Sequence, residues 1–273
     1  MYVLHEIVHN KHVISELEAL GAQFVENLGD IPRGGVCIFS AHGVSRGIEN
    51  KAKELGLRTV DATCPLVTSV HGMVEKYHAM GCDVVIIGHH KHPEVEGTAG
   101  RVAGRVHIVA NEQEAEEVAV ADAQKVAYVT QTTLNSNDII GIVRILKRRF
   151  AKIKGPKSNI CFATQNRQDA VKKLAENSDI LFVVGSKNSS NSNRLKEVAL
   201  LFGVEAHLVD DYQDIDPTWL FGKKRIGITA GASAPERLVD GVILWLQSHG
   251  TVKVVEMEGI KEKIHFKPAI LSC

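Results

Sequence analysis

The sequence has no excess of either charge: 32 lysine and arginine residues balance 32 aspartate and glutamate residues in a chain of 273. Without a basic excess there is no electrostatic footprint for a nucleic acid or an anionic bilayer, so neither is expected as a partner. Long hydrophobic runs are missing as well, and no stretch approaches the length that spans a membrane. The first residues are not a charged segment followed by an apolar one, which sets the expectation of a cytoplasmic protein. Cysteine is scarce, with Cys37, Cys64, Cys82, Cys161 and Cys273 widely separated and odd in number. A disulfide framework is therefore not expected, and metal, cluster or catalytic use has to be weighed. A glycine-lysine pair of the P-loop kind is absent from the polar stretch Gly185 to Leu195, which argues against a nucleotide site there.

What is present is an ordinary globular composition, 44% hydrophobic and 23% charged, and a repeating pattern. Short β-branched runs at Val36–Phe39, Val60, Val84–Ile87, Val126–Val129, Ile160, Ile180–Val184 and Ile226–Ile228 alternate with helical periodicities. Tyr2 to Leu4 and Ile7-Val8 also read as strand, ahead of a helix through Val13, Ile14, Leu17 and Leu20. Alternation of this kind predicts parallel sheets with helices on their faces, and ligands in such sheets bind outside the carboxyl ends of the strands. The loops at those ends repeatedly carry His, Cys, Thr, Ser, Asn and Glu, and their spacing points to two or three small α/β units sharing a polar centre. The boundaries expected are 1–64, 65–157 and 158–273, with the basic run Lys147, Arg148, Arg149, Lys152, Lys154 before Gly155-Pro156 as linker. That run is otherwise a solvated face, or a docking patch for an acidic electron-transfer partner.

The polar stretch after Val184 places Ser189, Ser190 and Asn191 at a helix N-terminus, where unpaired amides and the helix dipole attract an anion. Helix capping alone explains the same residues. Ser233-Ala234-Pro235-Glu236 fits a capping box with proline in the first turn, and the capping serine would sit at the same anion-attracting end. His9, His42 and His92 can donate to phosphate, while Ser189, Ser190, Asn191 and Ser233 supply neutral donors. Glu94, after His92-Pro93, is the best acid among the loops: a dry setting would raise its pKa and let it deliver a proton, whereas in solvent it is only a surface glutamate. Cys64 and Cys161 occupy equivalent positions between a strand and a helix and would suit a soft metal or an iron–sulfur cluster. Cys37 reads as a small strand hydrophobe, and Cys82 and Cys273 receive no role. The tract His89-His90-Lys91-His92 offers zinc as an alternative, although neighbouring strand residues point to opposite faces.

Taken together, His5-Glu-Ile-Val-His9-Asn10, Phe39-Ser-Ala-His42-Gly43, Asp61-Ala-Thr-Cys64-Pro65-Leu-Val-Thr68, Gly88-His-His-Lys-His92-Pro93-Glu94-Val-Glu-Gly97-Thr98, Thr130-Gln-Thr-Thr-Leu134, Cys161-Phe-Ala-Thr-Gln-Asn166-Arg167-Gln168, Gly185 to Leu195 and Thr229-Ala-Gly-Ala-Ser233-Ala-Pro235 resemble the 4-hydroxy-3-methylbut-2-enyl diphosphate reductase (IspH/LytB) family nearly end to end. The resemblance implies three small parallel α/β units around a central [4Fe-4S] cluster. It also implies reductive removal of the substrate hydroxyl to give isopentenyl and dimethylallyl diphosphates, the last step of the non-mevalonate isoprenoid pathway. By position, Cys64 and Cys161 match two cluster ligands. His9, His42, His92, Ser189, Ser190, Asn191 and Ser233 match the diphosphate-binding groups. Glu94 matches the proton donor, and Thr132 a threonine near the substrate hydroxyl. The implied partners are the small diphosphate substrate and an electron donor such as ferredoxin or flavodoxin.

The family begins with a further strand, a Gly-Phe-Cys-Ala-Gly turn and a helix, and the cysteine of that turn is the third cluster ligand. This sequence starts after the corresponding place, so the first unit is expected to be truncated. Weak cluster binding and little activity are expected of the polypeptide starting at Met1, and activity of an upstream-extended one. The competing expectations are a remnant that only binds diphosphates and a zinc hydrolase using the His tract with Cys64.

Overall fold

The computed structural model describes residues 1–156, 160–250, 252–260, 266 and 271–272; Cys273 lies outside them. The chain divides into two compact units, Met1–Val8 with Leu17–Cys161 and His265–Cys273, and His9–Glu16 with Phe162–Ile264. In chain order the elements are β1 (Tyr2–Leu4), α1 (Lys11–Ala19), β2 (Gln23–Val25), β3 (Val36–Phe39), α2 (Arg46–Glu54), β4 (Arg58–Asp61), α3 (Pro65–Ala79), β5 (Asp83–Ile87), α4 (Pro93–Ala99), β6 (Val106–Val109), α5 (Glu112–Glu117), β7 (Val126–Thr130), α6 (Ser136–Arg149), α7 (Phe162–Ala175), β8 (Ile180–Val184), α8 (Ser190–Leu201), β9 (Glu205–Val209), β10 (Ile226–Ala230), α9 (Glu236–Ser248) and β11 (Leu271–Ser272).

The first unit holds two sheets, with strand orders β11-β4-β3-β1-β2 and β6-β5-β7. Every pairing in them is parallel except β11 against β4, where Leu271 faces Val60. In β5 and β7 each position is buried, as a parallel strand covered on both faces requires. Alternation along β5 sorts the contacts: Val84 and Ile86 meet Val70 and Val74 of α3, while Val85 and Ile87 meet Ile139, Ile142 and Leu146 of α6. The second unit repeats this arrangement on the order β10-β8-β9. Ile180, Phe182 and Val184 pack on Leu238, Val242 and Leu246 of α9, and Leu181 and Val183 on Leu195 and Val198 of α8. Three parallel α/β layers thus form, as the alternation predicted.

Several local expectations are corrected. Ile7-Val8 is not strand: after β1 the backbone of His5 turns to φ 57° while its N–H still reaches Val25 O, and the chain leaves the sheet. Ile160 is a bend rather than a strand, so Cys161 precedes α7 without one. The strands β2, β6 and β9 escaped the pattern because each is an edge strand bearing polar residues, with one row of backbone groups and part of its side chains left to solvent. The basic run is no free linker. Lys147, Arg148 and Arg149 form the last turn of α6, where cations suit the helix dipole. Arg149 donates to Ala115 O and Val118 O, Arg148 pairs with Glu116, and Lys154 continues the sheet edge beside Ala127.

Phe182 is fully buried at the centre of the second unit. Phe182→Ala is expected to lower the unfolding free energy by about 3–5 kcal/mol through lost transfer energy and a residual cavity, measured by urea titration.

Candidate functional site

In the first unit, the expected residues emerge at the carboxyl ends of β3, β4, β5 and β7. β5 ends at Ile87, and His92 follows as the N-cap of α4, with Pro93 in the first turn. Its Nδ1 accepts from the N–H of Glu94 at 3.2 Å, which assigns the proton of the neutral ring to Nε2 and makes that atom the donor. The His42 ring, beyond β3, meets the His92 ring edge-on, centroids 5.8 Å apart. Two histidines that the sequence places fifty residues apart are thereby neighbours.

Glu94 is in the first turn of α4, not in a solvated loop, and only 3% exposed. The N–H of Thr132 donates to Oε1 at 2.7 Å and the Thr132 hydroxyl to Oε2 at 2.9 Å. Burial raises the pKa to about 7, even though both Thr132 bonds favour the carboxylate. The acid therefore changes protonation near neutral pH, where a proton donor is most useful. Gln131, which sequence reasoning passed over, is 1% exposed; it accepts from His89 N–H and donates to the Thr133 hydroxyl, tying the two loops together. Its only sequence signal was membership of the Thr-Gln-Thr-Thr stretch.

Cys64 is the N-cap of α3, its N–H bonded to Ala41 O. Cys161 lines a cavity of about 130 Å³ with Leu66, Ser69, Met73, Ile160 and Thr132. Both thiols are partly exposed, whereas Cys37 and Cys82 are buried, and burial pushes the Cys37 thiol up to about 11. Cys37 is the strand hydrophobe expected, and Cys64 and Cys161 are the cysteines whose placement and softness suit iron. Among the described residues, no group of three or more His, Cys, Asp and Glu side chains is disposed to hold a metal ion. In the His tract, His90 pairs with Glu114 at 2.8 Å and His92 caps α4, so nothing here favours the zinc alternative.

The second unit gathers His9, Ser189, Ser190, Asn191 and Ser233. Ser189 caps α8, its Oγ accepting from the Ser192 N–H, and Ser190 opens the helix. Asn191 is 5% exposed, and neither its Oδ1 nor its Nδ2 has a hydrogen-bond partner among the described residues. An amide buried this way implies a ligand or water that completes it. Ser233 does not cap α9, whose N-cap is Pro235; its hydroxyl donates instead to His9 O at 3.1 Å. The proline ends the capping box and frees the serine to hold the His9 backbone. Asn10 adds a second orphan amide, since Oδ1 caps α1 through His12 and Val13 N–H while Nδ2 has no partner among the described residues. Lys11 reaches Asp210 at 3.1 Å and its N–H reaches the Ser186 hydroxyl, so residues 9–16 rest on the ends of β8, β9 and β10. Asn10 and Ser186 lie in stretches that the sequence analysis singled out but received no individual role there, and Asp210 gave no signal.

Burial of Glu94 makes stability depend on pH. Between about pH 4.5 and 7 the native state keeps a proton that the unfolded chain has released, so the unfolding free energy falls by roughly 3 kcal/mol across that window and is flat above it. Glu94→Gln is expected to flatten this slope, as read by urea titrations of both proteins at pH 5 and pH 8.

The LytB protein family matches residues 1–247 of the chain. The chain is 62% identical over 271 residues to 4-hydroxy-3-methylbut-2-enyl diphosphate reductase of Desulfotalea psychrophila, spanning 99% of this chain and 87% of that protein. Against the enzyme of the same name from Azoarcus sp. it is 54% identical over 267 residues, 97% of this chain and 86% of the other. Among solved structures, the E-1-hydroxy-2-methyl-but-2-enyl-4-diphosphate reductase from Plasmodium falciparum aligns with a TM-score of 0.87 at 39% identity, covering 90% of this chain and 78% of that one. A second structure, that of (E)-4-hydroxy-3-methyl-but-2-enyl diphosphate reductase, the terminal enzyme of the non-mevalonate pathway, aligns with a TM-score of 0.67 at 32% identity, covering 91% of this chain and 88% of that one. By both sequence and fold, the chain belongs to the LytB protein family.

Proposed function

We propose that this chain reduces 4-hydroxy-3-methylbut-2-enyl diphosphate to isopentenyl and dimethylallyl diphosphates. The observation that carries the proposal is the buried Glu94 carboxyl, ionising near neutral pH and held by Thr132, which shares a cavity with Cys161. In the overall reaction the allylic carbon–oxygen bond breaks, two electrons enter, one proton leaves with the hydroxyl as water and a second goes to carbon; attachment at either end of the allyl system gives the two products. Glu94 supplies the proton to the departing oxygen, and the Thr132 hydroxyl, able to donate and accept at once, holds that oxygen or passes the proton on. In the first unit His42 and His92 offer ring N–H donors to a phosphate oxygen; the second unit, taken by itself, offers His9, Ser189, Ser190, Asn191 and Ser233 as a set of anion-binding groups. Serine and asparagine donors suit this role because they hold an anion without a fixed counter-charge, and the Asn191 amide has no hydrogen-bond partner among the described residues.

Cys64 and Cys161 fit as ligands of an iron–sulfur cluster by thiol chemistry, partial exposure and position at helix starts. When bound, the cluster supplies single electrons at low potential, and a carrier such as ferredoxin or flavodoxin delivers them. A second reading, diphosphate binding without turnover, draws on the absence of a three-ligand group among the described residues.

Glu94→Gln is expected to lower kcat by about 10²-fold or more, with KM within about threefold, in an anaerobic assay with a chemical reductant. Cys64→Ser and Cys161→Ser should each lower iron and acid-labile sulfide per chain after anaerobic reconstitution. Unchanged iron in both variants would remove the cluster assignment, and pyrophosphate binding with no turnover in the unsubstituted chain would favour the second reading.

A further inference from the structure

The motif that contains His92 and Glu94 runs on to Gly97, a position with no role in the chemistry above. Gly97 lies on α4, and a Cβ built there would stand 2.9 Å from the carbonyl oxygen of Gly43, 3.1 Å from its carbonyl carbon and 3.4 Å from Val44 Cα. All three are backbone atoms, so no side-chain rotation can make room. One turn on, the Gly100 N–H ends α4, its carbonyl accepts from the Arg46 N–H at 3.0 Å, and its Cα abuts Ser45. The Arg101 guanidinium, 8% exposed, donates to Val44 O at 3.1 Å. The segment 43–45 therefore lies directly on the helix.

Its other side is covered by His71 of α3. Gly43 has φ +78°, and a Cβ there would meet His71 Cε1 at 2.6 Å and Thr63 Cγ2 at 3.1 Å. His71 is 5% exposed, and burial, aided by the Arg101 charge, depresses its pKa to about 4, so the ring is a neutral wall at any working pH. The backbone after His42 is thus held in a slot between the His71 ring and the side-chain-free face of α4.

The same helix meets His42 again at its other end, because the His92 ring that the His42 ring contacts edge-on belongs to the N-cap of α4. We propose that Gly97 is a positioning residue: by letting segment 43–45 lie against α4, it sets the register that brings the His42 ring onto His92 for diphosphate binding. The inference rests on the diphosphate role proposed above for His42. A side chain at 97 would push the 43–45 backbone or the helix aside by several tenths of an ångström, and His42 would move with it. Alanine is otherwise a better helix former than glycine, so a loss of binding in Gly97→Ala does not come from a weaker helix.

The test is titration calorimetry of the full chain with inorganic pyrophosphate, using Gly97→Ala, His42→Ala, the double variant, and Gly72→Ala as a control on α3 where a Cβ meets nothing within 4 Å. Gly97→Ala is expected to raise Kd roughly tenfold, Gly72→Ala to leave it within about twofold, and Gly97→Ala on the His42→Ala background to add less than about twofold. In turnover, KM should rise with kcat within about threefold. Wild-type affinity in Gly97→Ala, or an undiminished tenfold loss on the His42→Ala background, would overturn the proposal. Wild-type affinity in His42→Ala would instead remove the diphosphate role of His42 itself, a distinct result. If Gly97→Ala does not fold, His71→Ala opens the slot from the opposite side. Its loss of affinity should likewise vanish when His42 is absent, and an additive loss would overturn the inference.

Discussion

Desolvation of one carboxyl group is the constraint around which the first unit is arranged. Glu94 is closed off by α4 on one side and by the loop after β7 on the other, and its two oxygens are met by the N–H and hydroxyl of a single residue, Thr132. That number of bonds is too small to keep a buried carboxylate ionised against the loss of water, so the group holds its proton to about pH 7. The surroundings have to be rigid for this to work, because a small opening would admit water and return the acid to its ordinary range. The rigidity comes from β5 and β7, paired in register and buried along their whole length, and from Gln131, which bonds across from one loop to the other.

A different balance governs the second unit. There the serine and asparagine side chains at the start of α8 are uncharged: Ser192 donates to Ser189, while the Asn191 amide has no hydrogen-bond partner among the described residues. A buried amide without a partner is destabilising by itself, which calls for a water or a ligand at the start of α8 to complete it. The segment 9–16 carries His9 onto this surface through backbone and side-chain bonds to Ser186, Asp210 and Ser233, so a residue distant in sequence is fixed by the ends of all three strands.

The strands β5, β7 and β8 were legible because they are nearly continuous apolar runs buried at every position, the pattern of a parallel strand covered on both faces. Edge strands such as Glu205–Val209 were not, since half of their groups face water and their pattern resembles a loop. The candidate residues were legible for a related reason: one polar cluster where an apolar strand stops can be a helix cap, but capping does not account for strand end after strand end bearing His, Cys, Thr, Ser and Asn. Ser233 shows the limit of such reasoning. Its spacing to Glu236 has the form of a capping box, yet the cap falls on Pro235 and the hydroxyl turns to His9, a partner 224 residues away in sequence.

By itself, then, the sequence determined the class of fold, the strand ends that carry the candidate residues and the residue types available there, because these follow from local periodicity and hydrogen-bonding inventory. Only the tertiary structure decided which of those residues touch, how dry Glu94 is, and that glycine at 97 and histidine at 71 enclose the chain after His42. Those properties arise from atoms brought together across tens of residues, and neither desolvation nor close packing leaves a trace in local pattern.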